Sequence, residues 1–405
     1  MTATNEREFS IDVIHRLRDA GFEALWAGGC VRDSLLGREP GDYDVATSAR
    51  PDEVKNLFKR TLNVGAAFGV MIVLGNKQQG QVEVATFRAD GEYLDGRRPK
   101  DVTFCSAEQD ALRRDFTING MFYDPVAEQV IDYVGGQEDL KQEVIRAIGV
   151  PAERFEEDKL RLLRAIRFAA RLDFGLEENT AASVREMATQ INVVSAERIA
   201  QELRKMLENP NRAVAMRLAR DTGLLQAVFS QLGINDEAVW STAISTIEHL
   251  EPAASFELGL AALLQSLAAG TTTKVCRKLK LANKEIDAIT WLVEQQNALR
   301  GAEQFDLARL KRLLSEPLSG ELIALVKSRD EATDAADVAF CLDYLSKTPM
   351  EVINPPQVLT GDDLIEAGFK PGPGFKSLLD AVRDAQLNGE VATLSEAITL
   401  AKSLG

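Results

Sequence analysis

The sequence predicts an α+β protein: a small mixed sheet with helices at the N-terminus, then an all-helical neck, body and tail. Three observations lead to this. Up to about residue 139, short runs of Val, Ile, Phe and Tyr recur between clusters of Gly, Pro and Asp. Beyond it, strand patterns almost vanish and apolar residues recur at helical spacing. With 405 residues, 45% of them hydrophobic, the chain is also too long for one ordinary core. The expected divisions are 1–139, 140–228 and 229–405.

Within the first division, Phe9, Ile11, Val13, Ile14 and Leu17 give residues 7–20 a helical period. GFEALWAGG reads as a short buried strand ending at glycines, VRDSLLG as a turn or two of helix closed by Gly37. YDVAT is a second strand, and Pro51 opens a helix in PDEVKNLF. GVMIVLG and QVEVATFR form a hairpin across the polar NKQQG turn. A long polar loop, RADGEYLDGRRPKDVTF, follows; loops of that length in a compact domain usually serve function. RRDFTINGMFYD is expected to open a helix, and AEQVIDYVGG to close the division with a short strand and turn. Residues 156–173, 178–190, 196–207 and 211–228 read as amphipathic helices. The remainder is helical, with turn signals at Glu251-Pro252, from Thr348 to Pro356, and at the PGPG of 371–374.

Composition narrows the function. Four cysteines (Cys30, Cys105, Cys276, Cys341) lack paired spacing and read as reduced thiols, not a disulfide frame or zinc site. Only His15 and His249 are present, which disfavours histidine-based metal sites and His general-base chemistry. No apolar run reaches the roughly 18 residues a membrane span needs, and the N-terminus lacks the pattern of a secretory signal; a cytoplasmic protein with no membrane partner is expected. A net charge of −15 argues against a uniformly basic nucleic-acid footprint, but arginines concentrate between Arg154 and Arg220, so a locally basic groove is compatible with it.

The chemistry centres on LGREPGDYDVAT. Residues i and i+2 of a strand share a face, so Asp42 and Asp44 project together with Cα atoms roughly 6–7 Å apart. That spread suits two cations roughly 3.5–4 Å apart, the arrangement that stabilises the attacking and leaving oxygens of a phosphoryl displacement. A surface turn is the plain alternative for a lone D-x-D. Upstream, Gly28 and Gly29 end a strand and open a helix, where free N–H groups favour phosphate; Arg32 follows. Glu83, flanked by Val82 and Val84, faces away from the core if its strand alternates, toward the two aspartates or simply toward solvent.

Two arginine segments complete the pattern. ALRRDFTING carries Arg113, Arg114, Asp115 and Asn119, with Asp115 and Asn119 at i and i+4. Asp115 could equally be a helix cap. In EEDKLRLLRAIRFAARLDF, Asp158, Arg161, Arg164 and Arg167 recur every third residue and wind round an ideal helix by about 60° per step. A nucleotide along that row would meet a base-reading pair and then phosphate-binding arginines; a salt-bridged surface helix is the alternative.

The ordered segments AGGCVRDSLLG, GDYDVAT, VEVATFR, YLDGRRPKDVTF, RRDFTING and EEDKLRLLRAIRFAARLDF resemble the class II tRNA nucleotidyltransferases of the polymerase β-like superfamily. That family includes CCA-adding enzymes, their A-adding and CC-adding relatives, and bacterial poly(A) polymerases. The chain departs from it in reading RRDFTING for the usual RRDFTINA and EQDALRRD just before. The resemblance implies Mg²⁺-dependent addition of CCA, or its terminal A, to the 3′ end of tRNA from CTP and ATP. Poly(A) synthesis, and a catalytically inactive RNA-binding relative, are the alternatives. It implies that Asp42 and Asp44 bind metal, with Glu83 as a further candidate ligand. Gly28, Gly29, Arg32 and Arg114 would contact the nucleoside triphosphate. Asp158 and Arg161 would read the base, and Arg164 and Arg167 would complete the nucleotide pocket. Residues 1–139 would be the catalytic head, 140–228 the neck with nucleotide-reading and RNA-binding helices, and 229–405 the body and tail that hold the tRNA acceptor arm. The loop from Tyr93 to Arg98 would help switch from C to A addition.

Overall fold

A computed structural model describes residues 3–65, 69–90, 102–233, 235–329 and 332–404. The chain forms two compact units, Met1–Gln231 and Leu232–Gly405. The first opens with helix α1 (Ala3–Asp19), which buries Phe9, Val13, Ile14 and Leu17, and strand β1 (Ala24–Ala27). Then come α2 (Gly29–Leu35), β2 (Val45–Thr47), α3 (Pro51–Leu57), β3 (Thr61–Gly65), β4 (Val70–Leu74) and β5 (Gln81–Thr86). A small ribbon, β6 (Arg88–Asp90) with β7 (Val102–Phe104), leads to α4 (Ala107–Leu112), β8 (Phe122–Asp124), β9 (Gln129–Ile131) and α5 (Gly136–Lys141). Seven strands make one sheet in the order β3-β4-β5-β2-β1-β8-β9. All its neighbours are antiparallel except β2 and β5, which run parallel with Val45 opposite Val84. One face packs Leu25, Ala27, Ala46, Phe87 and Phe122 against Ala107 and Ala111 of α4. That leaves the other ends of β2 and β5 to carry polar side chains.

A pair of two-residue strands, β10 (Val144–Ile145) and β11 (Gly175–Leu176), brackets α6 (Pro151–Glu157) and α7 (Leu160–Leu172). Helices α8 (Glu178–Met187), α9 (Ala196–Leu207), α10 (Arg212–Asp221) and α11 (Leu224–Val228) follow. The second unit is helical among its described residues. In it the 251–252 and 371–374 turn signals fall between helices, while the 348–356 tract includes a short helix, Met350–Ile353.

Two local expectations change, and one strand was not expected. RRDFTINGMFYD does not open a helix: α4 ends before it, residues 117–119 make one 3-10 turn, and 122–124 are strand. Its backbone pairs with residues 146–148 instead of with itself. Thr117 N donates to Arg146 O at 3.0 Å, and Ile148 N donates to Asp115 O at 3.1 Å. The helix expected over 156–173 is broken at Asp158, whose φ of −148° and ψ of 104° are extended. Strand β3 carried no legible pattern because it is a sheet edge whose Leu62 and Val64 stay exposed.

Candidate active site

Parallel pairing of β2 with β5 sets the acidic wall. Val45 sits opposite Val84, so Asp44, just before β2, and Glu83, inside β5, are neighbours across the parallel pair. Tyr43 turns inward against Trp26, with ring centroids 4.8 Å apart, which leaves Asp42 and Asp44 on the open side. Val82 and Val84 are buried, so Glu83 points the other way, as alternation predicts. Burial, then Glu83 and Asp42, push the Asp44 carboxyl up to about 7, with Arg114 opposing. Burial and Asp42 likewise raise Glu83. Among the described residues, no three or more His, Cys, Asp or Glu side chains close into a metal cage. Mutually repelling hard oxygen donors nonetheless fit a divalent cation, which would relieve their repulsion. A cation held there would have to displace the Asp44 proton. Its apparent affinity is therefore expected to rise between pH 6 and 8, and Asp44→Asn to flatten that rise. Calorimetric metal titrations at pH 6, 7 and 8 measure it, and a pH-independent affinity in the unchanged protein contradicts the assignment.

Opposite lies a wall of arginines. Gly28 caps α2 with φ 72° and ψ −124°, a conformation that favours glycine, and a Cβ there would lie 3.2 Å from Arg114 Nη1. Arg32 is buried: Nε donates to Asp33 Oδ1 at 2.8 Å and Nη1 to Asn119 Oδ1 at 2.7 Å. Asn119 Nδ2 in turn donates to Asp115 Oδ1 at 3.2 Å, and Arg164 Nε donates to Asp115 Oδ2 at 2.7 Å. The i, i+4 pairing of Asp115 with Asn119 thus forms without the expected helix. Asp115, ion-paired with Arg164 and hydrogen-bonded by Asn119, is held down at about 2 despite its burial. Arg114 is oriented by Asp110, donating to its Oδ2 at 2.9 Å, and Arg113 donates to Oδ1 of the same carboxylate at 2.7 Å.

Beyond these, the residues expected to read the nucleotide do not share one helix. Asp158 lies in the break before α7; Arg161, Arg164 and Arg167 lie in α7. Arg161 Nη1 donates to Glu157 Oε2 and, at 2.9 Å, to Arg154 O. Arg167 Nε donates to Glu202 Oε2 of α9, and Arg198 of α9 grips Asp158. The two walls and α9 enclose one cleft of about 1070 Å³, lined by Gly28, Gly29, Arg32, Asp42, Asp44, Glu83, Arg114, Asp158, Arg161, Arg164 and Arg167. That slightly exceeds the upper end of the roughly 300–1,000 Å³ usual for small-ligand sites. Ten basic and six acidic side chains line it, so an acidic chain does hold a locally basic groove. The switching loop expected from Tyr93 to Arg98 lies outside the described residues.

The CCA-adding enzyme of Geobacillus thermodenitrificans (strain NG80-2) is 35% identical over 396 residues, covering 96% of this chain and 95% of the relative. This chain belongs to the CCA-adding enzyme family. That of Enterococcus faecalis (strain ATCC 700802 / V583) is 47% identical over 212 residues, 52% of each chain. Family models match in order: the Poly A polymerase head domain over 24–146, the RNA and SrmB-binding site of polymerase A over 173–233, and tRNA nucleotidyltransferase domain 2 over 254–401. The crystal structure of the Bacillus stearothermophilus CCA-adding enzyme in complex with CTP superimposes with a TM-score of 0.82 at 28% identity, covering 98% of this chain and 97% of that one. The Thermotoga maritima CCA-adding enzyme complexed with tRNA-CCA shares the fold, with a TM-score of 0.68 at 21% identity over 98% and 95% of the two chains. The protein is a nucleotidyltransferase, and enzymes of this family are metal-dependent.

Within this family framework, the RRDFTING departure has a packing cause. A Cβ at Gly120 would lie 2.8 Å from Val134 Cγ2 and 2.9 Å from Ile148 Cδ1, and Gly120 is not among the residues that line the cleft. Sequence reading passed over Asp110, Glu157, Arg198 and Glu202. For the first two a signal existed: an acid three or four residues before an arginine on a helix or across its end. For Arg198 and Glu202, 40 and 35 residues from their partners, none did.

Proposed function

We propose that the protein adds CCA, or its terminal A, to the 3′ end of tRNA from CTP and ATP with Mg²⁺ as the metal. The carrying observation is that Asp42, Asp44 and Glu83 line one cleft together with Arg32, Arg114, Arg161, Arg164 and Arg167. Gly28, Gly29, Arg32 and Arg114 cradle the triphosphate, with backbone N–H groups and guanidinium charge meeting phosphate oxygens. Asp158 accepts from the exocyclic amine of the base while Arg161 donates to its ring acceptor; Arg164 and Arg167 complete the pocket. The 3′-hydroxyl oxygen bonds to the α-phosphorus and gives up its proton to solvent, while pyrophosphate leaves with the electrons of the broken P–O bond. Asp42 and Asp44 would hold Mg²⁺, with Glu83 beside them, and the metal when bound would supply positive charge for the attacking and leaving oxygens.

Described thiols, all free, agree with a reducing compartment, and we place the protein in the cytoplasm. Among the described residues no helix is long and apolar enough to cross a membrane. Incubation with tRNA lacking CCA, Mg²⁺ and labelled CTP or ATP tests the reading. Incorporation is expected; failure of both nucleotides sinks it, and long homopolymer tails on unstructured RNA with ATP alone would favour poly(A) synthesis instead.

A further inference from the structure

Three of the arginines that line the cleft converge on one aromatic ring. The guanidinium carbons of Arg32, Arg164 and Arg167 lie 5.4, 5.2 and 4.1 Å from the ring centroid of Phe168. All three are inside the roughly 6 Å at which a ring face attracts a cation. Phe168 itself lines the cleft and is 5% exposed. Buried Phe116 meets it edge-on, with centroids 5.7 Å apart and ring planes at 73°, so the ring is fixed from the protein side. The arginines come from different elements, Arg32 from α2 and the other two from α7. Each is ion-paired with a carboxylate: Asp33, Asp115 and Glu202 in turn. Burial nonetheless lowers the Arg167 guanidinium from its ordinary value; Glu202 opposes this and the neighbouring Arg164 adds to it.

We infer that Phe168 is a positioning residue for nucleotide binding, whose ring gathers Arg32, Arg164 and Arg167 into one anion site. The inference rests on the reading of those arginines as nucleotide contacts. Guanidinium groups crowded round one buried point repel one another. A further carboxylate would hold them together, but it would cancel charge that the triphosphate needs. The face of a neutral ring attracts cations through its quadrupole and takes no charge out of the cleft. Because the ring touches arginines of both α2 and α7, the two parts of the site keep their spacing before a nucleotide arrives, and less ordering is left for binding to supply. Leucine fills much of the same space without a quadrupole. Fluorine on the ring withdraws the charge of its face with little change in size.

The test uses the full chain with Mg²⁺ and calorimetric titration of CTP and ATP. It compares wild type, Phe168→Leu, and chains carrying mono-, di- or trifluorophenylalanine at position 168 alone. The dissociation constants of both nucleotides are expected to rise stepwise with fluorine count and to be about tenfold higher in Phe168→Leu, with the KM for tRNA nearly constant. The fluorinated chains keep a ring of nearly the same size and carry the test should Phe168→Leu not fold. Constants that stay flat across the fluorine series overturn the inference, since packing alone then suffices. Unchanged nucleotide binding with a raised KM for tRNA also overturns it and makes the arginine cluster an RNA contact. Wild-type protein that binds neither nucleotide overturns the parent reading, whereas flat constants in a protein that binds both overturn this inference alone.

Discussion

Asp42→Ala and Asp44→Ala are each expected to lower incorporation of CTP and ATP by roughly 10³-fold or more, since metal stabilisation of transition-state charge is worth several kcal/mol. Asp44→Asn is expected to do the same while leaving the metal-free protein as stable as the parent or more so. Asp44 is buried against Glu83 and Asp42, and its carboxyl is raised to about 7, above its ordinary 3.8. A group raised on folding contributes stability that is complete below the unfolded value and is lost as pH rises through the folded one. At pH 8 the parent therefore carries the repulsion in full, and Asp44→Asn removes it. Steady-state kinetics with thermal melts in chelator at pH 6 and 8 separate the two effects. Loss of activity through unfolding, or retained activity, contradicts the metal assignment.

Asp115→Ala has the next largest expected effect, this time on stability as well as activity. Asp115 joins Arg164 of α7 to Asn119, and through Asn119 to Arg32 of α2, tying α7 to α2 across the cleft lining. Removing one partner of a buried ion pair costs about 3–5 kcal/mol, and the lower end applies because the Arg164 side chain keeps 31% exposure. For a unit of this size about 3 kcal/mol corresponds to a melting shift of roughly 6–12 °C. The pH dependence has the opposite sign to that of Asp44. Asp115 lies at about 2, below its ordinary 3.8, so its contribution is complete above that value and is lost as pH falls toward 2. The gap between parent and variant should narrow in acid. A melting transition that does not move at pH 7 contradicts the network.

Much of this site is written locally, and the rest is not. Alternation in QVEVAT placed Glu83 opposite its flanking valines, and D-x-D geometry placed Asp42 and Asp44 on one side of Tyr43; both follow from the two-residue period of a strand. The three-residue steps of Asp158, Arg161, Arg164 and Arg167 picked out residues that share one cleft but gave the wrong frame, because the chain leaves the helix at Asp158 and the period cannot register a single extended residue. RRDFTING has helical spacing yet folds otherwise, because its buried backbone pairs with residues 146–148. Arg198 and Glu202 could not be found by any local rule: in sequence they are two charges on an amphipathic helix, and only the packing of α9 against α7 aims them at Asp158 and Arg167.

The central claim is that one cleft selects C and then A for the tRNA end. Supplying CTP alone, ATP alone and both to tRNAs ending before the first C, after one C and after CC tests it most directly. CTP alone is expected to extend the first two substrates only to CC. ATP alone extends the third by a single A, and the mixture completes CCA and stops. Unbounded adenylation, or indifference to the substrate's end, would contradict it.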